Sequence, residues 1–271
     1  MKTLNLLLAI FLLFLAACAK PATAEPSPTP PPATTAPTAK PTDVPGLTIT
    51  FMDNAQVELV SPAARHIFID VYDPTRLTRA PSADDILLTT HTHDDHVIAS
   101  FQGAFPGQQL FTSEGKIELP DVTVVGIASA HNAWDPIQAE KASDYIYIID
   151  TAGLRIAHFG DIGQEALTDT QLAALGKVDV AFTQFSNSYS DMNASNLKGF
   201  NLMDQVKPRL IIPTHADKTT IQIAAERWKG YYSDLRTVTV SADNLPSETS
   251  ILVLGNLAPS YGVIFKLAPW K

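Results

Sequence analysis

The sequence predicts an α+β domain in which two β-sheets pack face to face with helices outside them, a four-layer αββα sandwich. Three observations predict it. Short apolar or alternating segments of strand length recur from residue 47 to residue 254. Segments with helical apolar spacing enter in the second half of the chain, after groups of strands. Of the 271 residues, 45% are hydrophobic, ample for one domain with a substantial core and short for two. Strand groups followed by helices suit two sheets covered on their outer sides, although composition alone does not separate this arrangement from other mixed folds.

The domain is expected over residues 46–271. Before it, Lys2 supplies a positive start, residues 6–15 form an uninterrupted apolar run, and Leu15-Ala16-Ala17-Cys18 closes it with small residues. Residues 1–17 therefore read as an export signal, too short in its apolar part for an ordinary membrane span. The only cysteine, Cys18, directly after Leu-Ala-Ala, resembles a bacterial lipobox, which implies lipidation of Cys18 and a new N-terminus there. Residues 18–45 then read as a tether: positions 21–45 are dominated by proline, threonine and alanine, which bury too little apolar surface to fold. The expected location is the bacterial cell envelope, lipid-anchored on the extracytoplasmic side, with the membrane as a partner. A chain with one cysteine has no disulfide framework, and lipidation would leave no cysteine for a metal. The net charge of −9, with no basic stripe, argues against nucleic acid as a partner.

Within the domain, residues 47–51, 56–60 and 66–70 are short strands separated by Asn, Asp, Ser and Pro, as in an antiparallel meander. Residues 86–89 form a buried strand. Residues 97–101 suit a short helix opened by Asp94 and Asp95, whose charges favour a helix N-terminus. Residues 122–127 form another strand, and residues 145–149 and 154–158 pair as a hairpin about Ala152-Gly153. Thr168 can cap a helix carrying Leu172 and Leu175. Leu197, Phe200, Leu202, Met203 and Val206 suit a second helix, and Ile221, Ile223, Ala224 and Trp228 a third. Residues 179–183, 210–212, 237–240 and 251–254 read as strands.

The chemistry concentrates in His91-Thr92-His93-Asp94-Asp95-His96, directly after the strand at 86–89. At a strand end His91 and His93 point the same way, while Asp95 and His96 reach a second position from the turn. Imidazole and carboxylate are the usual donors for zinc and harder divalent ions. His131, Asp161 and His215 each fall just beyond another strand, where a rigid scaffold can converge side chains on one rim.

This ordered set, His91-x-His93-x-Asp95-His96, then His131, Gly160-Asp161 and Pro213-Thr214-His215, resembles the metallo-β-lactamase superfamily of hydrolases. The segments at 67–70 and 84–89 resemble strands that precede the motif in that family. Within it the chain is most similar to the L-ascorbate-6-phosphate-lactonase-like proteins. The resemblance covers about residues 46–265 and implies the metallo-β-lactamase fold. It implies that His91, His93 and His131 hold one divalent ion, that Asp95, His96 and His215 hold a second, and that Asp161 bridges them. Zinc is the first expectation, with manganese or iron as alternatives. Asp95 and Asp161 are the expected catalytic residues, orienting and sharing an activated water that attacks an ester, lactone, amide or phosphodiester of a small molecule. Two departures stand out: Phe159 replaces the small or hydroxyl residue common before Gly-Asp, and residues 184–196 do not resemble the family's glycine-rich loop.

Other residues carry weaker expectations. His158 reads as a supporting or core residue and His66 as a surface or structural one. Trp134 and Tyr189 are candidates for substrate contact or, as is commoner for loop aromatics, for packing, and Asp70, Asp84 and Asp85 for hydrogen-bond support of the metal loop or for turns. Besides a hydrolase, the sequence admits a non-catalytic metal- or ligand-binding lipoprotein, and an iron-dependent oxidoreductase on the same fold.

Overall fold

The computed structural model describes residues 45–255 and 267–270. The signal segment, Cys18 and nearly all of the 18–45 tether lie outside the described residues. The domain opens with β1 (Leu47–Asp53), β2 (Gln56–Val60), β3 (His66–Ile69) and β4 (Ile86–Thr89), then α1 (Ala99–Ala104). Next come β5 (Gln108–Phe111), β6 (Gly115–Glu118), β7 (Val122–Ser129), β8 (Asp144–Thr151), β9 (Leu154–His158) and α2 (Asp169–Leu175). There follow β10 (Val180–Thr183), α3 (Lys198–Val206), β11 (Leu210–Pro213) and α4 (Lys218–Arg227). The last strands are β12 (Lys229–Ser233), β13 (Thr237–Val240), β14 (Ser250–Leu254) and β15 (Ala268–Pro269).

One sheet has the strand order β13-β1-β2-β3-β4-β5, the other β15-β12-β14-β11-β10-β9-β8-β7-β6. The expected meander is present as antiparallel β1, β2 and β3, after which β4 and β5 join in parallel. The expected hairpin between β8 and β9 turns on Ala152 and Gly153, both at positive φ as a tight two-residue turn requires. Thr168 caps α2 with a full capping box, its side chain accepting from Gln171 N.

Strand alternation builds the layers. Ile49, Phe51, Ile67, Ile69, Ile86 and Leu88 of the first sheet meet Val124, Tyr147, Ile156, Phe182 and Ile212 of the second in one core between the sheets. The next residues along the second sheet, Ile148, Ala157, Ala181 and Ile211, turn outward to a core shared with Leu175, Phe200, Met203 and Ile221 of α2, α3 and α4. Phe68 and Leu87 point outward from the first sheet and meet Phe105 just after α1. Among the described residues the sandwich is therefore unequal, with three α-helices on one side and six-residue α1 on the other.

The local structure departs from expectation at the acidic pair. Asp94 and Asp95 do not open a helix: residues 94–96 form a turn, and α1 begins at Ala99 after extended Ile98. The acidic pair is thus held away from the helix end and beside the histidines. β5, β6 and β12 also go unforeseen, because their polar or exposed residues carry no apolar signal and their pairing partners define them.

Asp85 and Asp84 do not support the metal loop. Asp85 accepts from the Arg79 guanidinium at 2.7 and 2.8 Å, from Ser82 N and from His66 N, and fixes the entry to β4. Asp84 is exposed. These donors outweigh burial, which acts in the opposite direction, and hold the Asp85 carboxyl below its ordinary range. Its stabilising contribution is present above the unfolded-state pKa of about 3.9 and is lost as pH falls through the lower folded value. Asp85→Ala is expected to cost about 3 kcal/mol near neutral pH, because partners lose a buried acceptor. In urea melts that difference should shrink toward pH 3; a difference unchanged with acid would contradict the assignment.

Candidate metal centre

Each of the seven sequence-derived donors sits at or just beyond a strand end. His91, His93, Asp95 and His96 follow β4 of the first sheet, while His131, Asp161 and His215 follow β7, β9 and β11 of the second. The rim where the sheets meet therefore collects all of them. His91, His93, His131 and Asp161 form one group and Asp95, His96 and His215 another, with donor atoms in each group within 4.8 Å of one another. Asp161 lies between the two. Its Oδ2 is 3.8 Å from His91 Nε2, 3.8 Å from His131 Nε2 and 3.4 Å from His96 Nε2, and its Oδ1 is 3.4 Å from His215 Nε2. His215 Nε2 and His96 Nε2 both stand 3.9 Å from Asp95 Oδ2.

The far sides of the rings are fixed by hydrogen bonds, as ligating histidines require. His96 Nδ1 donates to Asp70 Oδ2 at 3.0 Å. Thr90 Oγ1 donates to the same Asp70 oxygen at 2.8 Å and lies 3.1 Å from His91 Nδ1, so Asp70 orients two imidazoles, one directly and one through a hydroxyl. Both Nε2 atoms are left facing the site. Asp70 adopts φ +50 at the end of β3, fully buried.

Asp144, at the start of β8, performs the corresponding role on the other sheet. Its Oδ1 accepts from Asp161 N at 3.2 Å and stands 3.5 Å from His91 Nδ1, while its Oδ2 accepts from Ser129 Oγ at 2.6 Å. Gly160 makes this approach feasible: at φ +54, a Cβ there would overlap Asp144 Oδ1 and lie 2.8 Å from Thr90 Cβ. Phe159, the departure noted in the sequence, packs in the outer core and donates its N–H to Phe182 O, so Asp144 and Gly160 make the contacts around Asp161 instead.

The electrostatics suit a cation. Burial holds His91 down to about 4, helped by the charge of His96, and burial likewise lowers His93, His131 and His215, which keeps these rings neutral near pH 7. Burial opposes ionisation of Asp161, but the hydrogen bond and charge of His96 overcome it and hold the carboxylate low. Burial also disfavours charge on His96, yet Asp70 and Asp161 raise it well above its ordinary value. Burial, with the charge of Asp161, pushes Asp144 well up.

Whether the residues fit a metal is answered by two atoms. His131 Nε2 and Asp161 Oδ1 are buried without a hydrogen-bond partner, although both point into the cluster. Buried polar atoms are rarely left so, and divalent ions held by the two groups would satisfy them. The cluster opens into a cleft of about 470 Å³ lined by Thr92, His93, Asp94, Asp95, Asp161 and Tyr189. Tyr189 lines this cleft, its ring 6.2 Å from that of His93. Trp134 is not among the lining residues. His158 is wholly buried, donating Nε2–H to Ala55 O and accepting from Gly160 N, and His66 pairs with buried Glu58.

Sequence reasoning missed Asp144, Asn187 and Ser190. Asn187 Nδ2 donates to Asp161 Oδ2 at 2.6 Å, and Ser190 Oγ donates to Asp161 O at 2.9 Å. Asp144 left one signal, a lone carboxylate heading an otherwise apolar strand. Asn187 and Ser190 lie in the segment that the family pattern does not cover.

A family model described as a beta-lactamase superfamily domain matches residues 48–215. Among solved structures, the chain is similar to a candidate zinc-dependent hydrolase of the metallo-β-lactamase superfamily from Thermotoga maritima, at 17% identity and TM-score 0.58, covering 77% of this chain and 98% of that one. It is similar also to the metallo-β-lactamase fold protein YhfI from Bacillus subtilis, at 10% identity and TM-score 0.50, over 76% of this chain and 96% of that one. At such identities the likeness is one of fold. No curated protein matches the sequence.

Proposed function

Because the chain belongs to the beta-lactamase superfamily and gathers its histidines and aspartates on one rim, we propose that it is a dinuclear metal-dependent hydrolase. The observation that carries this reading is the convergence of seven donors with His131 Nε2 and Asp161 Oδ1 left unpartnered among them. His91, His93 and His131 would hold one ion, Asp95, His96 and His215 the other, and Asp161 both. Nitrogen donors favour zinc, and the two carboxylates also admit manganese or iron. Such ions supply Lewis acidity toward a carbonyl or phosphoryl oxygen and acidify a water toward neutrality.

The chain's own residues do the rest. Asp70 and Thr90 keep His91 and His96 with Nε2 inward; Asp144, Gly160 and Asn187 set the angle of the Asp161 carboxylate. Asp95 is 47% exposed at the cleft mouth, placed to accept a proton from the attacking water and to orient it. Esters, lactones, amides and phosphodiesters fall within this chemistry, and the similarity to lactonase-like proteins supports testing lactones first. The test is a panel of these substrates against the full chain loaded with zinc or manganese. Turnover of at least one class is expected, abolished by a chelator and restored by metal; turnover indifferent to chelation would overturn the reading. Lipidation of Cys18 and anchoring outside the cytoplasm complete the proposal, supported by Leu15-Ala16-Ala17-Cys18 alone. A processed chain whose N-terminal peptide carries an unmodified Cys18 by mass spectrometry would argue against it.

A further inference from the structure

The mouth of the cleft over the cluster is acidic. Of its six lining residues none is lysine or arginine, while exposed Asp94 and half-exposed Asp95 add negative charge at the mouth. The nearest lysine along the 187–198 segment, Lys198, is 2% exposed and engaged by Glu165 at 3.1 Å and Asp191 at 3.3 Å. The ions that the cluster would hold supply positive charge at the reacting centre, but an anionic group elsewhere on a substrate is ordinarily gripped by guanidinium or ammonium groups, which the lining of this cleft lacks among the described residues.

What the cleft offers instead is an aromatic ring held in place. Tyr189 is 78% exposed, so its ring is open to a ligand in the cleft. Its backbone is pinned to the cluster. Asn187 Oδ1 accepts from Tyr189 N at 3.0 Å while the other end of the same amide donates to Asp161 Oδ2 at 2.6 Å. Ser190, fully buried, donates to Asp161 O. Asn187 and Met192 close the turn by exchanging both backbone hydrogen bonds, at 2.8 and 2.9 Å. Tyr189 therefore stands at the tip of a short turn tied at two points to Asp161, once at its carboxylate and once at its backbone carbonyl. Pre-organisation of this kind lowers the ordering cost of binding.

We propose that this turn selects an uncharged carbonyl substrate, an ester or lactone whose planar or apolar part lies against the Tyr189 ring, and that Asp94 repels anionic substrates. The proposal rests on the hydrolase reading and narrows it. It disfavours substrates with a further anionic group remote from the bond that is hydrolysed, phosphorylated lactones among them.

The test compares two activated esters on the full chain reconstituted with zinc: 4-nitrophenyl butyrate and the 4-nitrophenyl monoester of glutaric acid. They share a leaving group and differ chiefly in a terminal carboxylate. The neutral ester is expected to have kcat/KM about tenfold higher or more, and Asp94→Lys should narrow that ratio by about tenfold, the scale of one charge interaction at short range in a half-wet cleft. Tyr189→Ala should raise KM for the neutral ester about tenfold with kcat within a factor of about two, and Tyr189→Phe should keep the original KM, as expected of stacking rather than proton transfer. Equal or better turnover of the anionic ester, or a Tyr189→Ala chain with unaltered KM, would overturn the proposal while leaving the hydrolase reading intact. Failure of a metal-loaded chain to hydrolyse either ester overturns the proposal, and failure across the whole substrate panel overturns the hydrolase reading with it.

Discussion

Asp161→Ala lowers turnover by roughly a thousandfold or more while the chain still folds, the expected result if one carboxylate serves both donor groups. Asp161 Oδ1 and Oδ2 are the atoms that face His215 on one side and His91, His96 and His131 on the other. Removing them takes a ligand from each group at once. Steady-state kinetics on the best substrate of the panel, with circular dichroism to confirm folding, make the comparison. A chain that keeps ligand binding but loses turnover agrees with catalysis; one that keeps full turnover would exclude Asp161 from the chemistry. The same variant separates a hydrolase from a binding lipoprotein, for which no turnover exists to lose.

Gly160→Ala is the second large effect, acting one residue earlier through the backbone. At φ +54 an alanine is strained, and its Cβ would overlap Asp144 Oδ1 and crowd Thr90. Strain and overpacking together cost about 3 kcal/mol. Because Asp144 Oδ1 holds Asp161 N and Thr90 Oγ1 stands beside His91 Nδ1, relief of the clash displaces ligand-bearing backbone on both sheets. Turnover should fall by about a hundredfold, the scale found when groups supporting a metal ligand are lost. Thermal melts and kinetics check both effects. A Gly160→Ala chain with the original melting temperature and rate would show that this close approach is not what sets the site.

How far the site was legible follows from where its parts lie. Donor types at strand ends announce themselves: His91, His93, His96, His131, Asp161 and His215 each follow an apolar run, and the structure gathers them with Asp95 on one rim. The supporting groups are harder to see because their roles are made by tertiary contacts. Asp144 is one aspartate among many until β8 pairs between β7 and β9 and brings it under Gly160. Asn187 and Ser190 sit in an irregular turn with no periodicity, and only the fold shows that both reach Asp161.

The fold divides in the same manner. Buried strands such as β4, β9, β10 and β14 carry their own apolar signal, and Thr168 with Gln171 marks the start of α2. β5, with its two glutamines, is a strand because it lies parallel to β4. The Asp94-Asp95 pair shows the competing demands most clearly: helix-dipole reasoning assigns it to the start of α1, whereas a turn keeps it beside the histidines and α1 starts without an acidic cap.

The measurement that bears most directly on the central claim is metal content. Full-length chain, reconstituted with zinc and freed of excess ion, is expected to retain about two ions per chain by elemental analysis, as two donor groups sharing one carboxylate require. Asp161→Ala should retain fewer. Retention of no metal by a folded, reconstituted chain would contradict the account.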